Sequence, residues 1–151
     1  GADLLALSAG RAAAAGAVVT VVHGEAGRAN LHLRFGPDAP GGVLLSGHTD
    51  VVPAGSGWAT DPYELTEVDG QLRARGSADM KGFIACVLAL APRFAALSLG
   101  RPLHVALTFD EEDGFHGAPI LLDDLMCNGP RPSAAIIEIN RFRILLIEYR
   151  P

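Results

Sequence analysis

The stretch VLLSGHTD, residues 43–50, ends an apolar run with an imidazole and a carboxylate two residues apart. Strand side chains alternate between the two faces of a sheet, so this spacing predicts that His48 and Asp50 share one face at a strand end. By itself, such a pair is more typical of a capped or solvated strand end. The alternative is a metal-bound imidazole with a carboxylate on its second nitrogen.

Around this strand, strand and helix patterns alternate along the chain. Apolar runs predict strands at residues 18–23, 29–35, 43–47, 103–109, 133–139 and 142–149, and helices at 2–15, 78–97 and 118–127. Pro92 predicts a kink or an end within the second helix. Asp69-Gly70 predicts a hairpin between residues 63–68 and 71–74. The alternation predicts an α/β fold whose sheet is covered on both faces, and the length suits one domain.

Composition excludes several classes of function. The chain is 49% hydrophobic and 19% charged, with a net charge of −5 and no basic stripe, which argues against nucleic-acid binding. The longest apolar stretches, residues 12–22 and 83–92, are too short to cross a bilayer. Cys86 and Cys127 lack CxxC spacing and lie in apolar or helical surroundings, which predicts buried or partly buried free thiols in a reducing compartment.

Further carboxylates follow the predicted hairpin and a predicted strand. Asp79 lies just before the long helix, where a simple N-cap is the alternative interpretation. The acidic triplet at residues 110–112 directly follows a buried strand, where a solvated loop is the alternative. Neighbouring carboxylates raise one another's pKa unless a cation compensates. Together with His48 and Asp50, these side chains suit Zn²⁺ or a similar divalent ion.

Three motifs, SGHTDVVP, DGQLRARGSADMKGF and TFDEEDGFHGAP, lie in register within residues 27–135. In order and spacing they resemble the dinuclear-zinc aminoacylase and carboxypeptidase family of metallopeptidases, and its acetylornithine deacetylase branch in particular. The resemblance implies a mixed, mostly parallel sheet flanked by helices. It also implies that residues 1–151 form an incomplete catalytic, metal-binding domain, with the lid or dimerisation domain outside them.

The implied activity is removal of an acetyl group from an N-acetylated amino acid, N2-acetylornithine in arginine biosynthesis, in the cytoplasm. The implied partner is therefore a small N-acyl amino acid, with neither nucleic acid nor membrane involved, and the parent protein can be a homodimer. A related deacylase, such as succinyl-diaminopimelate desuccinylase, remains an alternative. So does a degenerate, non-catalytic member, and a non-metal α/β binding domain is the least favoured interpretation.

The resemblance also implies a role for each motif residue. His48, Asp79 and Glu112 match metal ligands, and Asp79 matches a bridging carboxylate followed by a cis peptide bond. Asp50 matches the catalytic carboxylate that orients His48, and Glu111 matches the general base for the attacking water. Metal ions polarise the amide and acidify water, while such a base carries the proton to the leaving amine. The implied cofactor is Zn²⁺, two ions per complete site, and Co²⁺ suits the same ligands.

After the next strand, the chain departs from the family pattern. A further Glu ligand is expected there, but ungapped counting from Glu112 places Ile139 at that position and Glu138 one residue earlier. Glu138 can serve as a ligand only after a one-residue shift, which turns a strand side chain to the opposite face. The last His ligand falls outside the chain, so we expect residues 1–151 alone to be inactive. His104 and His116 are expected to be structural or solvated.

Overall fold

A computed structural model describes residues 2–139 and 143–148, with side chains up to residue 137. Its helices are α1 (Ala2–Ala14), α2 (Gly82–Ala96) and α3 (Gly117–Asn128). Its strands are β1 (Val18–His23), β2 (Ala29–Phe35), β3 (Val43–His48), β4 (Thr66–Val68), β5 (Gln71–Arg73), β6 (Leu103–Thr108), β7 (Ala134–Ile139) and β8 (Arg143–Glu148).

Six strands form one sheet in the order β1-β2-β6-β3-β7-β8, and β4 pairs with β5 in a separate hairpin. The central pairs, β6 with β3 and β3 with β7, are parallel. The pairs toward both edges are antiparallel. The predicted α/β fold, with a mixed sheet built on a parallel core and flanked by helices, is confirmed.

The face of the sheet beneath α1 and α2 holds the larger apolar core. Alternate residues of β2 point into it, because strand side chains have a period of two, and α2 adds residues spaced along one helical face. The fully buried members are Ala12, Leu31, Leu33, Phe35, Ile84, Val87, Ala91, Val105 and Leu107. Packing of this core determines which residues of β3 and β6 face α1 and α2.

The opposite face lies beneath α3 and is more polar. Its apolar cluster is smaller: Leu44, Ala106, Leu121 and Leu125. His32 and His104, which alternate with the core residues of β2 and β6, lie buried here with their rings stacked 5.2 Å apart. Nε2 of His32 lies 2.9 Å from Nδ1 of His104. His104 is therefore structural, as expected.

The boundaries of some elements differ from prediction. α2 begins at Gly82 rather than at residue 78, because Ser77–Lys81 form an irregular turn in which Asp79 and Met80 have non-helical backbone angles. Pro92 does not end α2, which continues to Ala96. The hairpin strands are shorter than predicted, with three residues each. Across the described ranges, no helix is both long and apolar enough to cross a membrane.

The two cysteines are free, but the expectation that they are buried or partly buried is wrong. Cys86 and Cys127 are both exposed. The cause is amphipathic helix packing: α2 buries Ile84 and Val87, and Cys86 lies between them on the outward side of the helix. α3 likewise buries Leu125 and leaves Cys127 facing out. The apolar composition of the surrounding segments does not show which side of its helix each thiol occupies.

Candidate metal centre

The carboxyl ends of β3 and β6 lie side by side and bring the sequence motifs together. In the parallel register His48 pairs with Thr108. The Thr49 backbone N–H donates to the Thr108 carbonyl at 2.8 Å, and the Thr49 hydroxyl donates to the same oxygen at 3.1 Å. The segment at residues 48–50 therefore meets the acidic loop that follows β6, at the edge where α/β sheets place ligand sites.

His48, Asp79 and Glu112 converge at this edge. Each offers one potential ligand atom, and these atoms lie within 4.8 Å of one another. The three residues line a cleft of about 340 Å³, together with Glu111. Four tetrahedral ligands of zinc lie about 3.4 Å from one another, so small side-chain rotations would bring these atoms around one ion.

The contacts of the His48 ring fit a cation. The residue is 5% exposed; its Nδ1 lies 3.2 Å from the Asp50 carbonyl oxygen, and its Nε2 lies 3.2 Å from Oδ1 of Asp79. If Nδ1–H donates to the carbonyl, Nε2 turns a lone pair toward a carboxylate oxygen. Two acceptors face each other stably only with a proton or a cation between them. The donor set therefore fits a divalent ion such as Zn²⁺.

An irregular turn before α2 directs Asp79 into the cleft. The Asp79–Met80 peptide bond is cis, as the resemblance implied. Met80 is 3% exposed, and its sulfur accepts a hydrogen bond from the His48 backbone N–H at 3.3 Å. Lys81 occupies the N-cap position of α2, so the N-cap interpretation of Asp79 is wrong. The Asp79 carboxylate faces His48 instead.

Asp50 contacts more than the imidazole. Nδ1 of His48 lies closer to the Asp50 carbonyl oxygen, at 3.2 Å, than to its carboxylate, at 3.5 Å. The two carboxylate oxygens accept the backbone N–H groups of Glu111 at 3.1 Å and Glu112 at 2.9 Å. The main chain of Asp50 therefore contacts the imidazole more closely, while its side chain holds the backbone of both glutamates.

The side chains of the acidic triplet, residues 110–112, point in two different directions. Asp110 forms an ion pair with Arg28, which lies just before β2. Glu111 and Glu112 line the cleft. Oε2 of Glu111 lies 3.8 Å from Nε2 of His48. In a solvated acidic loop all three carboxylates would face water. Here one is paired with Arg28 and two line the cleft, so the triplet is better described as part of the candidate metal site.

The electrostatics of the cleft act most strongly on Glu111. Burial raises the pKa of its carboxyl above the usual range. The positive character of His48 opposes that shift, while the charges of Glu112, Asp50 and Asp79 raise the pKa further. A raised pKa suits a proton acceptor that works near neutral pH. The same crowding of carboxylates is relieved by a divalent cation.

The other sequence-predicted residues do not add to the described cluster. Glu138 and Ile139 belong to β7, but their side chains lie outside the described part of the chain, so a ligand role for Glu138 stays a prediction. The side chain of Ile137 lines the cleft. His116 is exposed directly before α3, consistent with a solvated residue.

Three residues that support the site were not identified from the sequence. Arg28 pairs with Asp110. Burial lowers the pKa of the Lys81 amine, and the nearby charge of Asp50 opposes that shift. Asn30 is fully buried and bonds to both ends of that loop. Lys81 lies within a recognised motif, whereas Arg28 and Asn30 act across more than 75 residues of sequence.

Comparison with known proteins agrees with this geometry. The model of "Peptidase family M20/M25/M40" matches residues 44–142, about two thirds of the chain. Human carnosine dipeptidase 1 is 29% identical, with a TM-score of 0.74 over 93% of this chain and 33% of its own.

Two further solved structures share the fold at lower identity. The M20 family metallo-carboxypeptidase Sso-CP2 from Sulfolobus solfataricus is 18% identical, with a TM-score of 0.75 over 91% of this chain and 32% of its own. The dipeptidase Dug1p from Saccharomyces cerevisiae is 22% identical, with a TM-score of 0.73 over 91% of this chain and 33% of its own. The chain thus spans about a third of the length of these three structures. The motifs, the site geometry and the family match agree, and the chain belongs to peptidase family M20/M25/M40.

Proposed function

We propose that this chain carries the metal-binding and proton-accepting part of a hydrolase that cleaves an amide bond in a small amino-acid derivative. The observation that carries the proposal is the convergence of His48, Asp79 and Glu112 within 4.8 Å, in a cleft that also contains Glu111. Membership of a peptidase family supports amide hydrolysis as the reaction class.

His48, Asp79 and Glu112 would hold a divalent ion, and Zn²⁺ is the ion that one imidazole and two carboxylates suit best. Bound there, the ion would polarise a carbonyl and acidify water. A complete site would hold two ions, with Asp79 between them and Glu138 as a further ligand only after a shift of register. Co²⁺ would be accepted by the same atoms.

Glu111 would act as the general base. Its carboxylate lines the cleft beside the three ligand residues, and its raised pKa favours proton capture from water near neutral pH. The proton would then pass from Glu111 to the leaving amine. Asp50 would orient His48 and fix the backbone of Glu111 and Glu112 through the hydrogen bonds described above.

The proposed substrate is an N-acylated amino acid, with N2-acetylornithine first. The motifs DMKGF and DEE followed by GxxGAP support this choice. A dipeptide is the second candidate, favoured by the 29% identity to human carnosine dipeptidase 1. With either substrate the protein would act in small-molecule metabolism, and a cytoplasmic location is part of the same proposal. A lid or dimerisation domain outside residues 1–151, and a homodimeric parent, belong to the same proposal.

The test compares Glu112→Gln with Glu111→Gln, using Zn²⁺ titration of the purified chain. Changing a residue that only contacts a metal ligand typically weakens metal affinity by roughly 10–100-fold. Loss of a ligand in Glu112→Gln should weaken Zn²⁺ affinity by more than this, whereas the affinity of Glu111→Gln should stay close to that of wild type. Glu67→Gln, an exposed hairpin glutamate, is the matched control. Equal loss of metal in both cleft variants would show that the roles are wrongly assigned.

Turnover is then measured with N2-acetylornithine and with a dipeptide. Because the chain spans about a third of the two dipeptidases and the carboxypeptidase named above, we expect residues 1–151 to bind the ion without hydrolysing either substrate. In a longer form of the protein that contains this chain, Glu111→Gln should reduce kcat by about 10²–10⁴-fold. Absence of Zn²⁺ binding by the wild-type chain would contradict the proposed function.

A further inference from the structure

We infer that Asn30 is a positioning residue of the metal centre: its buried carboxamide closes the base of the acidic loop and so sets where Glu111 and Glu112 point. The inference rests on the proposed function and assigns to β2, which carries none of the ligand residues, a part in building the site. The loop in question is residues 110–116, between the end of β6 and the start of α3.

The contacts of Asn30 span the two ends of this loop. Its Nδ2 donates to the Gly117 carbonyl at 2.9 Å, and its Oδ1 accepts the Phe109 backbone N–H at 3.2 Å. The loop ends also bond directly, because the Gly117 N–H donates to the Phe109 carbonyl at 3.2 Å. Asn30 is 0% exposed, so water cannot replace either of its bonds. The loop thus leaves and re-enters the fold through one closed, three-bond junction.

Gly117 completes the junction by having no side chain. A Cβ at this position would lie 2.5 Å from the Phe109 carbonyl oxygen and 2.6 Å from Oδ1 of Asn30. Both are far inside contact distance, and the carbonyl belongs to the backbone and cannot rotate away. The close approach of the two chain segments therefore depends on glycine for space, and any larger residue would force the loop ends apart.

The loop needs such an anchor because two of its residues have unfavourable backbone angles. Asp110 and Phe115 both have positive φ, at 51° and 59°, a region that non-glycine residues rarely occupy. Strained loop conformations persist only where the surroundings determine them. Arg28 and Asp50 hold the exposed part of the loop through Asp110 and through the Glu111 and Glu112 N–H groups. Asn30 is the fully buried anchor, where the two ends of the loop meet.

The chemistry requires an amide at residue 30. One carboxamide presents a donor and an acceptor side by side, which matches the carbonyl and the N–H that face it. Leucine has a similar volume but would leave the Phe109 N–H buried without a partner and would remove one of the donors to the Gly117 carbonyl. Aspartate would keep the acceptor but would set a carboxylate against the Gly117 carbonyl oxygen. A purely space-filling role would tolerate leucine, and a positioning role would not.

The test measures Zn²⁺ affinity in Asn30→Leu, Asn30→Asp and Gly117→Ala, and follows the Co²⁺ absorption spectrum as a report on ligand geometry. We expect each variant to bind Zn²⁺ about 10–100-fold more weakly, as changes behind a ligand shell commonly do, and to alter the Co²⁺ spectrum. The control for lost stability is Leu33→Ala, a buried change on the other face of β2. The control for the glycine change is Gly10→Ala, where an added Cβ meets nothing within 4 Å. Both controls, measured on folded protein, should bind like wild type.

A second readout needs no metal. Amide hydrogen exchange at Phe109 and Gly117 should accelerate in Asn30→Leu relative to wild type, while exchange in the β3 core should not. If the Asn30 variants do not fold, the comparison of Gly117→Ala with Gly10→Ala decides the question. Wild-type Zn²⁺ affinity and an unchanged Co²⁺ spectrum in the folded variants would overturn the inference. Failure of the wild-type chain to bind any divalent ion would instead contradict the proposed function, so the two failures are distinguishable.

Discussion

The two faces of the central sheet are built for different tasks, and β2 shows the contrast within one strand. Toward α1 and α2 it presents Leu31, Leu33 and Phe35, all buried in the larger apolar core. Toward α3 the alternate positions are Asn30 and His32, both buried and both hydrogen-bonded to other side chains or to backbone. The first face is held by non-directional burial, and the second by directional bonds.

The contrast separates the part of the fold that provides most of the stability from the part that positions the candidate site. Burial of apolar area stabilises a structure without specifying the position of any one group to a fraction of an ångström. Hydrogen bonds to buried partners specify such positions, at the cost of being sensitive to every change of donor or acceptor. The α3 face bears the loop that carries Glu111 and Glu112, and directional bonds are what that loop needs.

Truncation of a buried ring in the larger apolar core should cause the greatest loss of stability. Phe35 is 1% exposed and packs edge-on against Phe94, at the end of β2 far from Asn30. Phe35→Ala should lower the free energy of unfolding by about 3–5 kcal/mol, measured by urea denaturation. The protein that remains folded should bind Zn²⁺ as wild type does. A parallel fall in metal affinity would show that the two faces are not independent.

The next effect belongs to the polar face and depends on pH. Burial lowers the pKa of His32 to about 4, and the neighbouring charges of His104 and Arg34 on the sheet, with Asp124 opposing from α3, modify it. Burial also lowers the pKa of His104. The unfolded chain therefore binds protons at these rings more readily than the folded one, so stability rises with pH between about 4 and 6.5.

Acidification from pH 6.5 to 4 should accordingly cost about 3 kcal/mol through His32 alone. Equilibrium unfolding of wild type and His32→Phe across this window isolates the contribution, because the carboxylates titrate in both proteins. The variant should show a shallower loss of stability toward acid. Identical slopes would mean that the pKa of His32 is the same in the folded and the unfolded chain, and that this residue does not contribute to the loss of stability in acid.

The smallest expected effect concerns the outward sides of the helices. Cys86 and Cys127 are exposed on α2 and α3, away from both clusters. Cys86→Ser and Cys127→Ser should each change the free energy of unfolding by no more than about 0.5 kcal/mol. Both thiols should react with a thiol reagent in the folded protein at rates close to those after unfolding. Strong protection of either thiol from the reagent would show that it is buried between its helix and the sheet.

Much of the fold could be predicted from the sequence because it follows from side-chain periodicity. Strands β1, β2, β3, β6 and β7 lie within a residue or so of their predicted positions, since alternation and β-branched runs mark half-buried strands directly. The start of α2 was missed because DMKG suits a helix by composition, whereas its backbone angles at Asp79 and Met80 are fixed by the site. The thiols were misplaced because burial depends on the helix face and not on apolar neighbours.

The candidate site divides in the same way. Motif spacing placed His48, Asp79, Glu111 and Glu112 at strand ends or in the loops that follow, and the structure brings all four into one cleft. It could not separate Asp110 from the two glutamates beside it, because the pairing of Asp110 with Arg28 joins residues 82 apart. Nor could it indicate that the Asp50 carboxylate bonds to the loop backbone more closely than to the imidazole.

The order of elements, the family likeness and the candidate metal ligands can be read from the sequence, because they depend on local periodicity and on spacing along the chain. How the acidic loop is held depends on contacts that form only in the folded chain. Asn30 meets Phe109 and Gly117 because β2 lies beside β6 in the sheet. A hydrogen bond between segments distant in sequence produces no periodic pattern in either segment. Its partners can therefore be identified only once the pairing of the strands is known.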